Sequence, residues 1–118
     1  MTLFLFGILV LTLAATACSS DGKDKNEGSN ASSIAVELDN YYFKPNPLTL
    51  IAGKSVELEL GNEGSVTHTF TVQGLNIDEE VPSPQTKKIT VTPDKAGEYT
   101  IICRFHEAQG MKATLTVK

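Results

Sequence analysis

Cysteine, histidine and methionine side chains occur at close spacing near the end of the chain. Cys103, His106 and Met111 form the pattern Cys-x2-His-x4-Met, and the other histidine of the chain, His68, lies further upstream. All four are soft or borderline ligands for transition metals. Two imidazoles and a thiolate in a trigonal plane, with a weak axial thioether, are the ligands of a mononuclear electron-transfer copper site. The sequence therefore predicts one type 1 copper ion bound by these four residues.

The chemistry of copper explains why these residue types are needed together. A thiolate forms a strong covalent bond to Cu(II), a thioether favours Cu(I), and imidazoles serve both oxidation states. A zinc site is expected to use four strong ligands and no thioether. A single Cys, His or Met is more often ordinary packing, so the prediction depends on all four residues reaching one place in the fold.

The hydrophobic pattern beyond residue 33 has a period of two, which is typical of β-strands. Val56, Leu58 and Leu60 alternate with polar residues, and turn signals rich in Gly, Pro and Asn separate such runs. The predicted strands are 34–38, 47–51, 55–61, 67–73, 86–91, 97–103 and 112–117. These indicate an all-β fold, a Greek-key β-sandwich or barrel of about seven to eight strands with antiparallel pairing. Residues 74–84 fit either a short helix or an edge strand.

The pleat of two predicted strands brings candidate ligands together. His68 shares a strand face with apolar residues, and this face must point inward. The pattern Asp94-x-x-Gly97-x-Tyr99 is typical of a tyrosine corner, which turns Tyr99 and, on the same face, Cys103 inward. His68 opens its strand and Cys103 closes its own. In antiparallel neighbours, both residues then lie at the same pole of the sandwich.

The chain resembles small blue copper proteins of the plastocyanin and pseudoazurin type, in the cupredoxin family. The resemblance rests on the stretches 62–70 and 97–115, which contain the upstream His-x-Phe and the Cys-x2-His-x4-Met loop, and it extends over nearly all of residues 34–118. It implies an electron carrier that serves redox partner proteins of a respiratory or other electron-transfer chain and is not an enzyme. The copper ligands that it implies are His68, which should be the more buried imidazole, Cys103, His106 and Met111.

The same resemblance gives roles to residues around the metal. It implies that His106 has an edge near solvent, inside an apolar rim formed by Phe105 and Ala108, with Pro45 as a further candidate. Phe105 stands where the family often has Pro. Thr69 stands where the family often has an Asn that hydrogen-bonds the backbone near the Cys. A hydroxyl is a weaker substitute, so we expect a less rigid support around the copper.

The charge of the chain argues against nucleic acid as a partner. The net charge is −4, and residues 34–118 hold 8 Lys and Arg against 11 Asp and Glu, so no basic patch is available. The acidic run Asp78-Glu79-Glu80 is interpreted as a solvated loop rather than as a docking site for a basic partner. We expect a monomer.

The beginning of the chain is typical of an export signal. Leu3 to Ala17 is a mainly apolar run that is too short for a comfortable membrane span and ends in small residues. Cys18 follows directly, which resembles a bacterial lipobox, so Cys18 is expected to carry a lipid. The polar residues after it predict a disordered tether. The expected organisation is a signal peptide at 1–17, the lipidated cysteine and tether at 18–33, and an extracytoplasmic, membrane-tethered domain at 34–118.

Three other functions share some of these features. A module that binds or delivers copper without a redox partner would use similar ligands, and the sequence does not separate it from an electron carrier. A fragment of a copper oxidase or nitrite reductase would need a further copper centre with extra histidines. Because the chain has 2 histidines, an enzyme acting alone is rejected. An immunoglobulin-like adhesion domain would explain a tyrosine corner, but its paired core cysteines and its Trp are missing.

Overall fold

Alternating apolar residues form nine strands in residues 32–118, the part of the chain that the computed structural model describes. The strands are β1 (Ser32–Asp39), β2 (Tyr42–Lys44), β3 (Leu48–Leu50), β4 (Val56–Asn62), β5 (His68–Val72), β6 (Ile77–Val81), β7 (Thr86–Val91), β8 (Gly97–Ile102) and β9 (Lys112–Val117). The predicted signal peptide, the lipid on Cys18 and most of the tether lie outside the described residues. No helix within residues 32–118 is long and apolar enough to cross a membrane.

The strands form two sheets that pack face to face. One sheet has the order β2-β1-β4-β7 and the other has the order β3-β9-β8-β5-β6. The predicted all-β sandwich is therefore confirmed, with one or two more strands than expected. Two neighbouring pairs, β1 with β4 and β3 with β9, are parallel, so the expectation of purely antiparallel pairing is wrong. A period of two reports which face a side chain occupies but not the direction of the neighbouring strand.

Besides shifts of one residue at several strand ends, three features differ from the sequence prediction. Residues 74–84 contain both candidate elements, because a 3₁₀ turn at Gln73–Leu75 is followed by the edge strand β6. Strand β1 begins at Ser32, two residues before the predicted start. Strand β2 was not predicted because it has three residues, of which Phe43 alone is buried.

The core lies between the two sheets and is lined by the inward face of each strand. Strand β4 shows the pattern clearly, since its buried and half-buried residues alternate along its whole length. Each fully buried large apolar side chain contributes about 1.5–3 kcal/mol relative to its exposed state. Because residues 32–118 contain this core, we expect them to fold independently of the preceding residues. The largest side chains with no exposed area include Leu38, Leu58, Leu60, Phe70, Ile101 and Leu115.

The tyrosine corner that precedes β8 forms as predicted. The Tyr99 hydroxyl donates a hydrogen bond of 2.8 Å to the carbonyl oxygen of Lys95. Ile101 and Cys103 lie on the same face of the chain and are fully buried. The corner therefore orients β8 so that Cys103, the residue after the strand, points into the core.

Candidate metal centre

Strands β5 and β8 bring the first two candidate ligands to one pole of the sandwich. The strands are antiparallel neighbours, with Thr71 opposite Ile102. His68 is the first residue of β5, and Cys103 comes directly after β8. Both side chains have no exposed area. The predicted meeting of these two residues therefore occurs in the buried interior.

Three donor atoms form a small triangle at this pole. Cys103 Sγ lies 3.8 Å from His68 Nδ1 and 3.4 Å from His106 Nδ1, and the two Nδ1 atoms lie 3.2 Å apart. Within residues 32–118, these three side chains are the one group of His, Cys, Asp or Glu close enough to hold a metal ion together. The imidazole of His106 is half-buried, so it is the donor that reaches toward solvent.

The loop after β8 holds His106 and Met111 by backbone hydrogen bonds. The Cys103 N–H donates to the Met111 carbonyl at 3.1 Å, and the Met111 N–H donates to the His106 carbonyl at 3.2 Å. Gly110 has a φ of +87°, a left-handed conformation that glycine adopts without strain. The loop therefore brings the fully buried Met111 back beside Cys103 at the start of β9.

The donor triangle has the size that a metal ion requires. A triangle with sides of 3.2, 3.4 and 3.8 Å has a circumradius of about 2.0 Å. Metal–nitrogen bonds of about 2.0–2.1 Å and metal–sulfur bonds of about 2.3 Å are typical of zinc, an ion of similar size. Two imidazoles and a thiolate with a neighbouring thioether are the donor set of a type 1 copper site. Size and chemistry both fit copper.

Asn40, in the turn between β1 and β2, holds the other nitrogen of the buried imidazole. Its Oδ1 lies 2.9 Å from His68 Nε2. An amide oxygen only accepts hydrogen bonds, so Nε2 carries the hydrogen and Nδ1 keeps a free lone pair that faces Cys103. Burial, and secondarily the charge of His106, lower the pKa of His68. Both effects leave Nδ1 available to a metal at neutral pH.

The orientation of the Asn40 amide follows from its other contacts. Its Nδ2 donates to Ser65 Oγ at 2.9 Å, and the Ser65 N–H points to its Oδ1 at 3.4 Å. A flipped amide would place its NH₂ against that N–H, with two donors facing each other. Gly64 lies so close that a Cβ there would overlap Asn40 Oδ1 and come within 2.9 Å of His68 Nε2. The turn therefore needs glycine for close approach.

Thr69 contacts both the Cys103 sulfur and the backbone that follows Cys103. Its backbone N–H points to Cys103 Sγ at 3.4 Å, and its hydroxyl accepts a hydrogen bond of 2.9 Å from the Arg104 N–H. Thr69 is fully buried and Thr71 is 4% exposed. The expected contact with the backbone near the cysteine is thus made by a hydroxyl in place of an amide.

Aromatic side chains surround the exposed edge of His106. Phe105 is 47% exposed and its ring centroid lies 6.4 Å from that of His106. Tyr41 is 41% exposed and lies closer, at 4.8 Å. Ala108 is exposed on the same loop, whereas Pro45 lines a cleft away from it with Glu37 and Glu63.

Asn40 and Tyr41 were missed by sequence reasoning. The one available signal is the polar and aromatic sequence Asp39-Asn40-Tyr41-Tyr42 between two strands. A turn composition of this kind does not indicate which pole of a sandwich it reaches.

The acidic run is part of strand β6, so its interpretation as a solvated loop is wrong. Asp78 and Glu80 both face Arg104, with nitrogen–oxygen distances of 2.8 and 3.6 Å. Glu79 pairs with Lys87 at 2.6 Å. Alternation along the strand separates Glu79 from its neighbours. These ion pairs neutralise much of the local negative charge.

Comparison with known proteins gives consistent matches. The family model described as "Cupredoxin-like domain" matches residues 5–117. Plastocyanin of Dryopteris crassirhizoma is 30% identical over 103 residues, covering 72% of this chain and 96% of that protein. Cytochrome c oxidase subunit 2 of Thermus thermophilus is 30% identical over 94 residues, covering 77% of this chain and 69% of that protein. A second Thermus thermophilus sequence of that name is covered over 55% of its length.

The fold is also found among solved structures. Auracyanin B superposes with a TM-score of 0.64 at 21% sequence identity, covering 75% of this chain and 90% of that chain. At this identity the likeness supports the fold alone. The sequence matches and the fold therefore agree on one family.

Proposed function

Because the chain belongs to the cupredoxin-like domain family, we propose that it is an electron carrier whose type 1 copper ion cycles between Cu(I) and Cu(II). The carrier acts outside the cytoplasm, tethered to a bacterial membrane, and passes electrons between redox partner proteins. It is not an enzyme acting alone, since its 2 histidines belong to this one site.

One observation carries the proposal. The Nδ1 atoms of His68 and His106 and the Sγ of Cys103 lie 3.2–3.8 Å apart, and Met111 is buried at the end of the same loop. We assign these four side chains as the copper ligands. Bound copper supplies a one-electron couple at this pole.

The side chains around the site keep the donors in place and exclude water. Asn40 directs the lone pair of His68 Nδ1 inward, and the Thr69 N–H partly neutralises the Cys103 thiolate. A site that is held in one geometry needs little rearrangement when the charge changes, which suits fast electron transfer.

The exposed edge of His106 is the proposed point of electron entry and exit. His106 is half-buried, whereas the other two donor side chains have no exposed area. Phe105 and Tyr41 flank this edge, and Ala108 extends the apolar surface. A partner that packs on this surface brings its own redox group close to the imidazole.

The test is a visible absorption spectrum of residues 31–118 after addition of Cu(II). We expect an intense thiolate-to-copper band that a mild reductant bleaches reversibly. Cys103→Ser should abolish the band, since a hydroxyl cannot replace the thiolate. His106→Gly with added imidazole provides a control, because an external ligand at the half-buried position should restore the colour.

Two outcomes would contradict the proposal. A colourless product that binds copper weakly would leave a structural sandwich. Coloured protein with slow or irreversible reduction would favour a copper-binding or delivery module without a redox partner.

The membrane tether is proposed from the sequence around Cys18. A chain beginning at a lipidated Cys18 would sediment with membranes and incorporate labelled palmitate. Cys18→Ala should abolish the labelling. A parent protein that sediments with membranes without incorporating the label would contradict lipid anchoring.

A further inference from the structure

A chain of buried hydroxyls connects the support of the thiolate to the surface of β6. The Arg104 N–H donates to Thr69 Oγ1 at 2.9 Å, and Thr69 Oγ1 lies 2.9 Å from Thr71 Oγ1. Thr71 Oγ1 donates to Asp78 Oδ1 at 2.8 Å, and the same carboxylate oxygen accepts from Arg104 Nε at 2.8 Å. The chain of contacts thus begins and ends on Arg104.

The carboxylate determines the direction of the two hydrogen bonds that the hydroxyls donate in this chain. An ionised carboxylate only accepts, so the single hydroxyl hydrogen of Thr71 points to Asp78. Thr71 can then only accept from Thr69, and the lone pairs of Thr69 are left facing the Arg104 N–H. Arg104, and secondarily Thr71, lower the pKa of Asp78. Asp78 is therefore ionised at neutral pH, and the direction is maintained.

The position of Thr69 explains why this direction matters for the site. Strands β5 and β8 are in register at Thr71 and Ile102, and Thr69 lies two residues further toward the metal pole. There it makes two parallel links, from its N–H to Cys103 Sγ and from its hydroxyl to the Arg104 N–H. If the hydroxyl contact to Arg104 weakens, the Thr69 backbone is held less firmly. Its N–H contact to Cys103 Sγ then weakens as well.

We propose that Asp78 is a positioning residue for the thiolate, acting through Thr71 and Thr69 on the Cys103–Arg104 peptide. The inference rests on the proposed function for its effect on copper. The acidic run of β6 thereby contributes one residue to the support of the site. The side chains of Asp78 and Arg104 are 54% and 38% exposed. The hydroxyl chain thus connects a surface ion pair to Cys103, which has no exposed area.

The test compares two carboxylates that are neighbours on one strand. Asp78→Ala and Glu79→Ala each remove one negative charge from β6, but Glu79 pairs with Lys87 and has no place in the hydroxyl chain. Their effects on overall charge are matched. Thr71→Val removes the hydroxyl with little change of shape, and Thr71→Ser restores it.

The first readout uses metal-free protein, residues 31–118, and amide hydrogen exchange by NMR. We expect the Arg104 N–H to exchange about tenfold faster in Asp78→Ala and Thr71→Val, as for the loss of one hydrogen bond. Glu79→Ala and Thr71→Ser should retain the parent rate. Equal rates in Asp78→Ala and Glu79→Ala would overturn the inference.

The second readout uses copper-loaded protein. A weaker Thr69 N–H contact leaves more negative charge on the Cys103 sulfur, which favours Cu(II). The reduction potential of Asp78→Ala should therefore fall below that of Glu79→Ala, with a shifted thiolate-to-copper band. Identical potentials and bands in the two variants would overturn the effect on copper. A parent that binds no copper would refute the proposed function, while the exchange rates would still decide the role of Asp78.

Discussion

Removal of the Asn40 side chain should weaken metal binding without unfolding the domain. In Asn40→Ala, the His68 Nε2–H loses its 2.9 Å acceptor inside a site where the imidazole is fully buried. An unsatisfied buried donor costs about 1–3 kcal/mol. Loss of a partner behind a metal-binding histidine typically lowers metal affinity by about 10–100-fold, which is about 1.4–2.7 kcal/mol. The first cost lowers the stability of the metal-free fold and the second weakens copper binding, so we expect copper affinity to fall by about 10–100-fold.

Gly64→Ala tests the same contact from the opposite side. The added Cβ would overlap Asn40 Oδ1 and lie 2.9 Å from His68 Nε2. The glycine cannot move away easily, since its N–H donates to Asn62 Oδ1 at 2.8 Å and its carbonyl accepts from Ser83 Oγ at 2.6 Å. Overpacking of this kind costs about 1–3 kcal/mol.

The double variant separates the contact from general damage. In Asn40→Ala the space of the missing amide becomes available, so a methyl group on residue 64 meets only the imidazole. We therefore expect the two substitutions to be non-additive, with the double variant about 1 kcal/mol more stable than the sum of the single effects predicts.

The assays are urea denaturation of metal-free protein and competition with a Cu(I) chelator. Asn40→Asp is the control, because a carboxylate also accepts from Nε2–H and should retain most of the affinity lost in Asn40→Ala. Additive single effects, or equal affinities in Asn40→Ala and the parent, would refute the reasoning from this contact.

Three further predictions concern the metal ligand, the rim and the surface ion pair. Met111→Gln should lower the reduction potential measured by voltammetry, because an amide oxygen is a harder donor that favours Cu(II); an unchanged potential would argue against an axial role. Tyr41→Ala uncovers His106, whose ring centroid lies 4.8 Å away, so electron exchange with a partner should change in stopped-flow experiments while the spectrum stays the same. Arg104 is the main cause of the lowered pKa of Asp78. The ion pair therefore stabilises the fold at pH values above the ordinary pKa of Asp, and this stabilisation is lost as the pH falls through the lowered pKa of Asp78. Arg104→Gln should raise the pKa of Asp78 in a carbon-detected NMR titration.

The sequence predicts the residues whose position depends on strand faces. A period of two places His68 beside Phe70 on the inward face of β5, and both are fully buried. The tyrosine corner fixes the inward direction of β8 and so of Cys103. These positions follow from local geometry, because neighbouring side chains on a strand alternate between faces whatever surrounds it.

Features that depend on contacts between distant segments were not predictable in this way. Asn40 lies 28 positions before His68, and nothing in the period of either segment reports their contact. Thr69 and Thr71 have polar side chains on the second face of β5, and their burial depends on the hydrogen bond that Thr71 donates to Asp78 on β6 and on the one that Thr69 accepts from Arg104. The parallel pairing of β1 with β4 likewise depends on where the chain crosses between sheets.

Each donor of the triangle is held by a different part of the chain. Asn40 in the turn after β1 orients His68, Thr69 on β5 contacts Cys103 Sγ, and the carbonyl of His106 accepts the N–H of Met111 within the loop. These tethers share no hydrogen bond, so the loss of one leaves the other two donors in place. Hydrogen bonds of the folded sandwich therefore contribute to holding each donor in position. In the proposed electron carrier, the electron would enter and leave at the half-buried His106 while the buried donors stay fixed.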